Sequence, residues 1–293
     1  MVLSQLSTPE KPLLPRLERL TGFVINEDGM CYTILLSPTL RELGLKVSDE
    51  VDAGIVRMVM QMSQRTLSTV LRLSINDLNS FAAGRQPPVK FWMFSHLQAL
   101  EVAHGISLSV NQLQALAAFP NLRSLSLNLF RMPSKSDGNT SDTTVGFLQL
   151  HDLALAGLLE DIITFLEMTS PPVLDSIAIT SMVYCNGRSV LASIFDAEDA
   201  IESLYSTLPL SIQRFRHVVT IHSAHQVFQL LHPEKLFELL CSFSGLLVLD
   251  ISFIMDSKLL LPDVLLYSLR DAWPDARVIK IAVCSPYSTR PWY

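Results

Sequence analysis

Charged residues are scarce in this chain of 293 residues, at 17% against 49% for hydrophobic residues. This composition excludes an intrinsically disordered protein, because such chains are too polar to offset the entropy lost on folding. The net charge is −6 and the lysines and arginines form no cluster. Since nucleic-acid-binding proteins concentrate positive charge on one surface, we expect no nucleic acid among the partners.

Long uninterrupted apolar runs are also missing. The most apolar stretch, residues 246–269, contains five charged or proline residues, which a membrane-spanning helix would not accommodate together. Residues 1–14 carry Glu10, Lys11 and two prolines where a signal peptide needs a continuous apolar centre. We therefore expect no membrane partner and an intracellular protein, located in the cytoplasm or nucleus.

The glycine and cysteine patterns exclude several kinds of site. No two of the eleven glycines lie closer than seven residues, which excludes the dinucleotide-binding, P-loop and nucleophile-elbow motifs. The four cysteines are far apart and form no C-x-x-C pair, so neither a zinc site nor a disulfide framework is indicated.

Other candidate sites have simpler interpretations. His222, His225 and His232 form the one histidine cluster, without an H-E-x-x-H motif or a cysteine pair beside it. The acids of residues 49–52 lack the turn glycine of a calcium loop and suit a helix N-terminus better. The acids of residues 196–202 are interpreted as a solvent-exposed helix face. We expect no metal, no cofactor and no catalytic residue, and so a protein that is not an enzyme.

The chain does contain a recurring L-x-x-L-x-L pattern. Its two clearest copies are Leu122, Leu125 and Leu127, and Leu150, Leu153 and Leu155. The last two leucines of each copy alternate with polar or small residues, as a half-buried strand requires.

The pattern repeats along the chain at a spacing typical of a solenoid. Its first apolar position falls at residues 17, 40, 70, 97, 122, 150, 174, 212, 246 and 276. Most spacings lie at or just above the roughly 20 to 29 residues of a leucine-rich repeat. We predict a polar tail over residues 1–12, followed by one α/β leucine-rich-repeat solenoid over residues 13–293. It would be a horseshoe-like array of irregular repeats, with about ten strands in a parallel concave sheet and helices outside.

An ordinary α/β domain with a doubly wound sheet is the alternative fold. It is disfavoured because the strands lack the continuous β-branched runs of a sheet that is buried on both faces.

Between the strands the sequence predicts helices and one long loop. Ser48 and Ser109 are predicted helix caps, and further helices are predicted over residues 157–169, 188–207 and 227–241 and from Pro262 onward. Residues 128–146 are predicted to form an exposed, mobile loop.

Five segments resemble the leucine-rich-repeat region of the F-box proteins of mushroom-type fungi. They are residues 13–20, 36–45, 119–127, 147–155 and 272–281. The resemblance implies a non-enzymatic protein-interaction module, similar to the substrate-recognition region of an SCF-type ubiquitin ligase. In that family an N-terminal F-box recruits the adaptor Skp1. None of the 16 residues before Leu17 reads as an F-box, so Skp1 is expected as a partner only if an F-box lies upstream.

Two alternative functions stay open: an α/β enzyme with a dispersed active site, and a truncated F-box paralogue without a ligase role.

The chain also lacks a regular asparagine eight residues after each repeat start, where leucine-rich repeats often bond their turns. The turns must therefore satisfy their backbone groups in another way.

The predicted binding surface lies on the strands, opposite the leucines. Residues two, four and six positions after each repeat start should point away from the core. The predicted protein-binding residues are Arg72, Ala99, Glu101, Ala103, Ser124, Ser126, Asn128, Asp152, Ala154, Ser176, Ala178, Thr180, Arg214, Arg216 and Asp250. Most of the central ones are small. They either form a groove for the bulkier side chains of an unknown protein partner or merely ease strand curvature.

Overall fold

In the computed structural model of the chain, the described residues are 13–25, 37–47, 68–76, 94–106, 108–129, 132, 145–169, 171–185, 190–223, 233–255 and 263–284. The chain divides into two compact units. The first comprises Met1–Asn139 with Val145–Leu150, and the second Thr140–Thr144 with His151–Tyr293.

The first unit contains five strands and one helix within the described residues. They are β1 (Arg19–Ile25), β2 (Glu42–Val47), β3 (Arg72–Asn76), β4 (Ala99–Ile106), α1 (Val110–Ala117) and β5 (Ser124–Leu129). Each strand pairs in parallel with the next one along the chain.

The second unit alternates strands and helices. Its elements are β6 (Asp152–Leu158), α2 (Leu159–Thr169), β7 (Ser176–Cys185), α3 (Val190–Thr207), β8 (Arg214–Ser223), α4 (Pro233–Leu240), β9 (Val248–Ile254), α5 (Asp263–Ala272) and β10 (Val278–Cys284). The five strands pair in parallel in chain order, and each helix packs against the next. The predicted α/β class with parallel strands is confirmed. Strand order follows the chain in each unit, unlike in a doubly wound sheet, whose order reverses at a switch point.

The apolar triplets form the cores of both units. In β5, β6 and β9, buried side chains alternate with half-buried ones, as expected for strands packed on one face only. Corresponding triplet positions stand side by side in neighbouring strands: Leu153 pairs with Ile177, and Phe215 with Leu249. These four side chains are at most 2% exposed. The prediction that the triplets point inward is confirmed for them.

The turn before each strand is built the same way in most repeats. The N–H of the first apolar residue donates to the carbonyl three residues earlier, as in Leu97 to Phe94 at 3.0 Å and Leu246 to Phe243 at 3.2 Å. In several repeats the accepting residue is a buried aromatic, namely Phe94, Phe119, Phe147, Phe243 or Trp273. The aromatic side chain packs in the core, while the backbone carbonyl of the same residue closes the turn.

Neighbouring repeats are joined by a second recurring arrangement. The N–H groups of Gln213 and Arg214 both donate to the carbonyl of Asp175, at 2.9 and 3.0 Å. The carbonyl of Gln213 in turn accepts from the N–H groups of Leu247 and Val248, at 2.7 and 3.1 Å. The shared carbonyl fixes the register of each strand on the one before it.

Hydroxyl groups bond some of the turns in place of the missing asparagines. In three repeats, the Ser or Thr just before the first apolar position donates its hydroxyl to the first-position carbonyl of the preceding repeat. The bonds run from Thr39 to Leu17 at 3.1 Å, from Thr69 to Leu40 at 2.9 Å and from Ser211 to Leu174 at 3.0 Å. The expectation that the turns satisfy their backbone groups in another way is confirmed at these positions.

The predicted cap of α1 is confirmed. The Ser109 side chain accepts from the backbone N–H of Gln112, while the Gln112 side chain accepts from the N–H of Ser109 at 2.8 Å. This capping box satisfies two N–H groups that a helix start leaves unpaired. The buried Leu113 and Leu116 hold the helix against the core.

The other helices differ in detail from the predictions. Helix α2 begins at Leu159 because β6 continues to Leu158. In α2, Ile163 is half-buried, while Phe165 is fully buried. The predicted Ser48 helix and the centre of the predicted loop, residues 136–142, lie outside the described residues.

The prediction of a wholly exposed acidic face on α3 is wrong at one position. Glu198 is only 7% exposed, whereas Asp199 next to it is exposed. Successive helix residues point about 100° apart, so the two acids cannot share one solvent-facing side. The side chain of Asp196 is outside the described part of the chain.

The last strand is less covered than the strand before it. Ile279 lies in register with the buried Leu249, yet it is 44% exposed. Ile281, which pairs with the buried Ile251, is partly exposed. Both isoleucines take the predicted strand positions, but no described strand follows to cover them.

Candidate protein-binding surface

The side of each sheet opposite the apolar triplets is called the open face of that unit. In the first unit it holds seven of the predicted binding residues, all of them exposed or half-buried. They are Arg72, Ala99, Glu101, Ala103, Ser124, Ser126 and Asn128. The strand register brings Arg72, Ala99 and Ser124 into one row across β3, β4 and β5, and Glu101 and Ser126 into the next.

A bulge in β4 changes the third predicted position. After Val102 the register shifts, so that Asn128 of β5 pairs with Gly105. The Asn128 amide donates to the backbone carbonyl of Ala103 at 3.3 Å. An inserted residue changes the direction of the strand that carries it. The spacing of the repeats does not reveal such a bulge.

The row containing Arg72 continues to two charged residues that the sequence analysis did not select. Glu42 of β2 pairs with Arg72 in register, and Arg19 of β1 pairs with Glu42. The Arg19 Nε atom lies 2.7 Å from the Glu42 Oε2 atom. Each of them stands two residues after a repeat start, at residues 17 and 40, so the spacing of the repeats places both on the open face although neither is among the predicted binding residues.

The open face of the second unit holds the other eight predicted residues. The strand register places Asp152, Ser176 and Arg214 in one row, and Ala154, Ala178, Arg216 and Asp250 in the next. Thr180 lies one row further along β7, next to Val218 of β8. At these three positions β7 therefore contributes only small side chains, with arginines beside Ser176 and Ala178 on β8.

Charged groups on this face form a set of ion pairs across strands. The Arg214 Nη2 atom lies 3.3 Å from the Asp152 Oδ1 atom, although β7 runs between their strands. The two outer strands are about 10 Å apart, so the arginine must pass over the residue between them. That residue is Ser176, which is small enough to allow it.

A second acid is shared by two cations. Asp250 lies 3.2 Å from the Arg216 Nε atom and 3.5 Å from the Lys280 Nζ atom. Its side chain is 18% exposed, against 64% for Arg216 and 55% for Lys280. A molecule that approaches this part of the face would meet the cations before the acid.

A buried polar trio lies on the opposite side of the same sheet. His217 of β8 occupies a core position between Ile179 of β7 and Ile251 of β9. Its Nε2 atom is 2.8 Å from the Ser181 hydroxyl, and its Nδ1 atom is 3.1 Å from the Tyr205 hydroxyl. Both ring nitrogens are thus hydrogen-bonded within the core.

Burial controls the ionisation of this trio. Desolvation lowers the pKa of His217 to about 3, so the imidazole is neutral at ordinary pH. The same cause raises the pKa of the Tyr205 hydroxyl. His217 and Ser181 are 0% exposed and Tyr205 is 2% exposed. The trio therefore stabilises the core and cannot meet a substrate.

The sequence contained a signal for this histidine. His217 stands five residues after Ile212, the repeat start before β8, and so takes the third position of the apolar pattern. The apolar pattern alone misses it, because the third position of this triplet is polar.

Metal-ligand clusters and membrane-spanning helices are absent from the described residues. They contain no group of three or more His, Cys, Asp or Glu side chains that could hold a metal ion. The side chains of His222, His225 and His232 lie outside the described set. Of the helices that are described, none combines the length and apolar character needed to cross a membrane.

Comparison with known proteins did not identify a relative, since no protein-family model matches the chain and a search of curated proteins found no match.

Proposed function

We propose that the chain is a non-enzymatic protein-interaction module built from leucine-rich repeats, and that the open faces of its sheets bind another protein. The repeated apolar triplets, the recurring turns and the shared carbonyls between repeats support leucine-rich repeats. One strand and one connection per repeat, stacked in chain order, is the arrangement such repeats adopt.

The open face of the second unit is the observation that carries the binding role. It combines small side chains on β7 with exposed arginines on β8, and no described helix covers it. The helices of the unit pack on the other side, against one another and against β6 and β7. A sheet face left open while the other is covered is available to a protein partner.

The two described groups with the largest pKa shifts give no support to the enzyme alternative. The largest pKa shifts belong to His217 and Tyr205, which are closed off within the core. Catalysis needs a perturbed group in contact with a substrate, and neither group has such access.

The resemblance to F-box proteins suggests the biological setting of this binding. We propose the role of a substrate-recognition region in an SCF-type ubiquitin ligase, with Skp1 bound only where an F-box is joined to the repeats. A binding assay of the present chain against purified Skp1 should show no complex. A stable complex would show that the chain itself contains an adaptor-binding segment.

Site-specific photo-cross-linking tests the binding surface. A benzophenone amino acid replaces Ala178 on the open face, and in a matched variant it replaces the exposed Ser206 on α3. In cells that express the chain, Ala178 should capture a defined set of proteins that excess unlabelled chain displaces. Equal capture from both positions, or none from Ala178, would contradict the proposal.

A further inference from the structure

Two neighbouring arginines on β8 extend from the open face of the second unit. Arg214 and Arg216 are two residues apart on one strand, so their side chains leave the sheet about 7 Å apart and then turn to opposite sides, toward Asp152 of β6 and Asp250 of β9. Their side chains are 58% and 64% exposed. An extended peptide beside the strand has the same two-residue spacing between side chains that point one way.

Both arginines retain hydrogen-bonding capacity. Arg214 contacts Asp152 through Nη2, and Arg216 contacts Asp250 through Nε. A guanidinium group has five N–H donors, so several donors on each arginine can still take an incoming acceptor. Carboxylates suit them best, since a guanidinium can donate two parallel hydrogen bonds to one carboxylate.

The charge balance of the exposed groups favours an acidic ligand. Arg214, Arg216 and Lys280 are each more than half exposed, whereas Asp250 is 18% exposed beneath two of them. Asp152, at 51%, is the exposed acid of this group. The chain as a whole carries a net charge of −6. This part of the face is therefore cationic although the chain as a whole is negatively charged, and it would attract an acidic segment.

Room for a peptide exists beside the arginines. Ser176 and Ala178 of β7 lie directly next to Arg214 and Arg216 in the strand register, and Thr180 follows on the same strand. The Arg214 side chain passes over Ser176 to reach Asp152, so the open space lies over Ala178 and Thr180. There a peptide backbone can approach the sheet while its acidic side chains turn toward β8.

We infer that the open face of the second unit recognises an extended acidic segment of a partner protein, with two carboxylates two residues apart held by Arg214 and Arg216. This inference rests on the proposed binding function and specifies the chemistry of the partner. The small residues of β7 receive the peptide backbone, and Lys280 adds attraction without a fixed contact.

Defined peptides test the inference with the full chain. Two fluorescent peptides of eight residues have the same composition: one alternates glutamate and serine, and the other pairs them as Glu-Glu-Ser-Ser. Fluorescence anisotropy should show tighter binding of the alternating peptide, because only its glutamates all point the same way when it is extended. Arg214→Gln with Arg216→Gln should weaken that binding at least about tenfold, since each lost site is a charge-assisted contact.

Two further variants serve as controls. Arg270→Gln removes the same charge from an exposed arginine on α5, which is paired with its neighbour Asp271, and should leave peptide binding unchanged. Asp250→Asn removes the acid that competes for Arg216 and should strengthen binding. An equal loss with Arg270→Gln, or no preference between the two peptides, would overturn the inference. Equally tight binding of a single-stranded oligonucleotide would do so too, because it would show a general anion surface.

Failure of this inference can be told apart from failure of the proposed function. Binding of the proteins captured at Ala178 is then measured with two variants of the chain. One carries Arg214→Gln with Arg216→Gln, and the other carries Ala178→Trp, which fills the space over β7. Binding that survives loss of the arginines but not the tryptophan would refute the acidic segment and keep the binding face. Binding that survives both would refute the face itself.

Discussion

The buried imidazole of His217 makes the stability of the second unit depend on pH in a predictable way. Its pKa falls from an ordinary 6.5 to about 3 in the folded chain. Between these values the unfolded state binds a proton that the folded state does not. Stability is therefore lost as the pH falls below 6.5, and it is fully present above that value. The contribution at pH 5 relative to pH 8 is about 2 kcal/mol for this one group.

A triple variant isolates this contribution. His217→Leu alone would leave the buried hydroxyls of Ser181 and Tyr205 unpaired, at a cost of roughly 1 to 3 kcal/mol each. Adding Ser181→Ala and Tyr205→Phe removes both hydroxyls and restores an aliphatic row between Ile179 and Ile251. We expect the triple variant to be close to the original chain in stability at pH 8, and the single variant to be less stable.

Urea unfolding followed by circular dichroism at pH 5 and pH 8 measures the effect. The loss of unfolding free energy between the two pH values should be about 2 kcal/mol larger for the original chain than for the triple variant. An equal loss in both proteins would show that His217 is not buried as a neutral group, and would refute its placement in the core.

Three further predictions concern the repeats. Ile251→Ala should lower the free energy of unfolding in urea by about 2 to 5 kcal/mol, because the side chain is fully buried. The same change at the exposed Ile279 should lower it by less than about 1 kcal/mol. Equal losses would mean that the Ile279 side chain of β10 is buried as well. Ser211→Ala should cost about 1 kcal/mol because it removes the hydroxyl bond to the Leu174 carbonyl, and a neutral result would show that this bond does not stabilise the turn. Ser109→Ala should cost about 1 kcal/mol and speed amide hydrogen exchange in α1, and unchanged exchange there would contradict the capping box.

Local patterns were sufficient to predict the strands and one helix cap. Triplets such as Leu122, Leu125 and Leu127 have the spacing of a strand packed on one side, and all three leucines are at most 2% exposed. Ser109 followed by Gln112 is a cap that depends on four consecutive residues, so it can be read without knowing the fold.

Other features depend on contacts between distant residues and could not be predicted. Arg214 and Asp152 are 62 residues apart, and their ion pair exists because Ser176 leaves space between them. Glu198 is buried by the packing around α3, although its neighbours in sequence suggested a solvated face. His217 took an apolar position because two hydroxyls from separate elements satisfy its ring.

The most direct test of the binding role is the dissociation constant of a purified partner, first captured at Ala178, for two variants of the full chain. Ala178→Trp places a large side chain on the open face, and Ser206→Trp places the same side chain on the exposed surface of α3. We predict that Ala178→Trp weakens binding at least about tenfold while Ser206→Trp changes it less than about twofold. Equal effects of the two substitutions, or no effect of Ala178→Trp, would contradict the assignment of the open face as the binding surface.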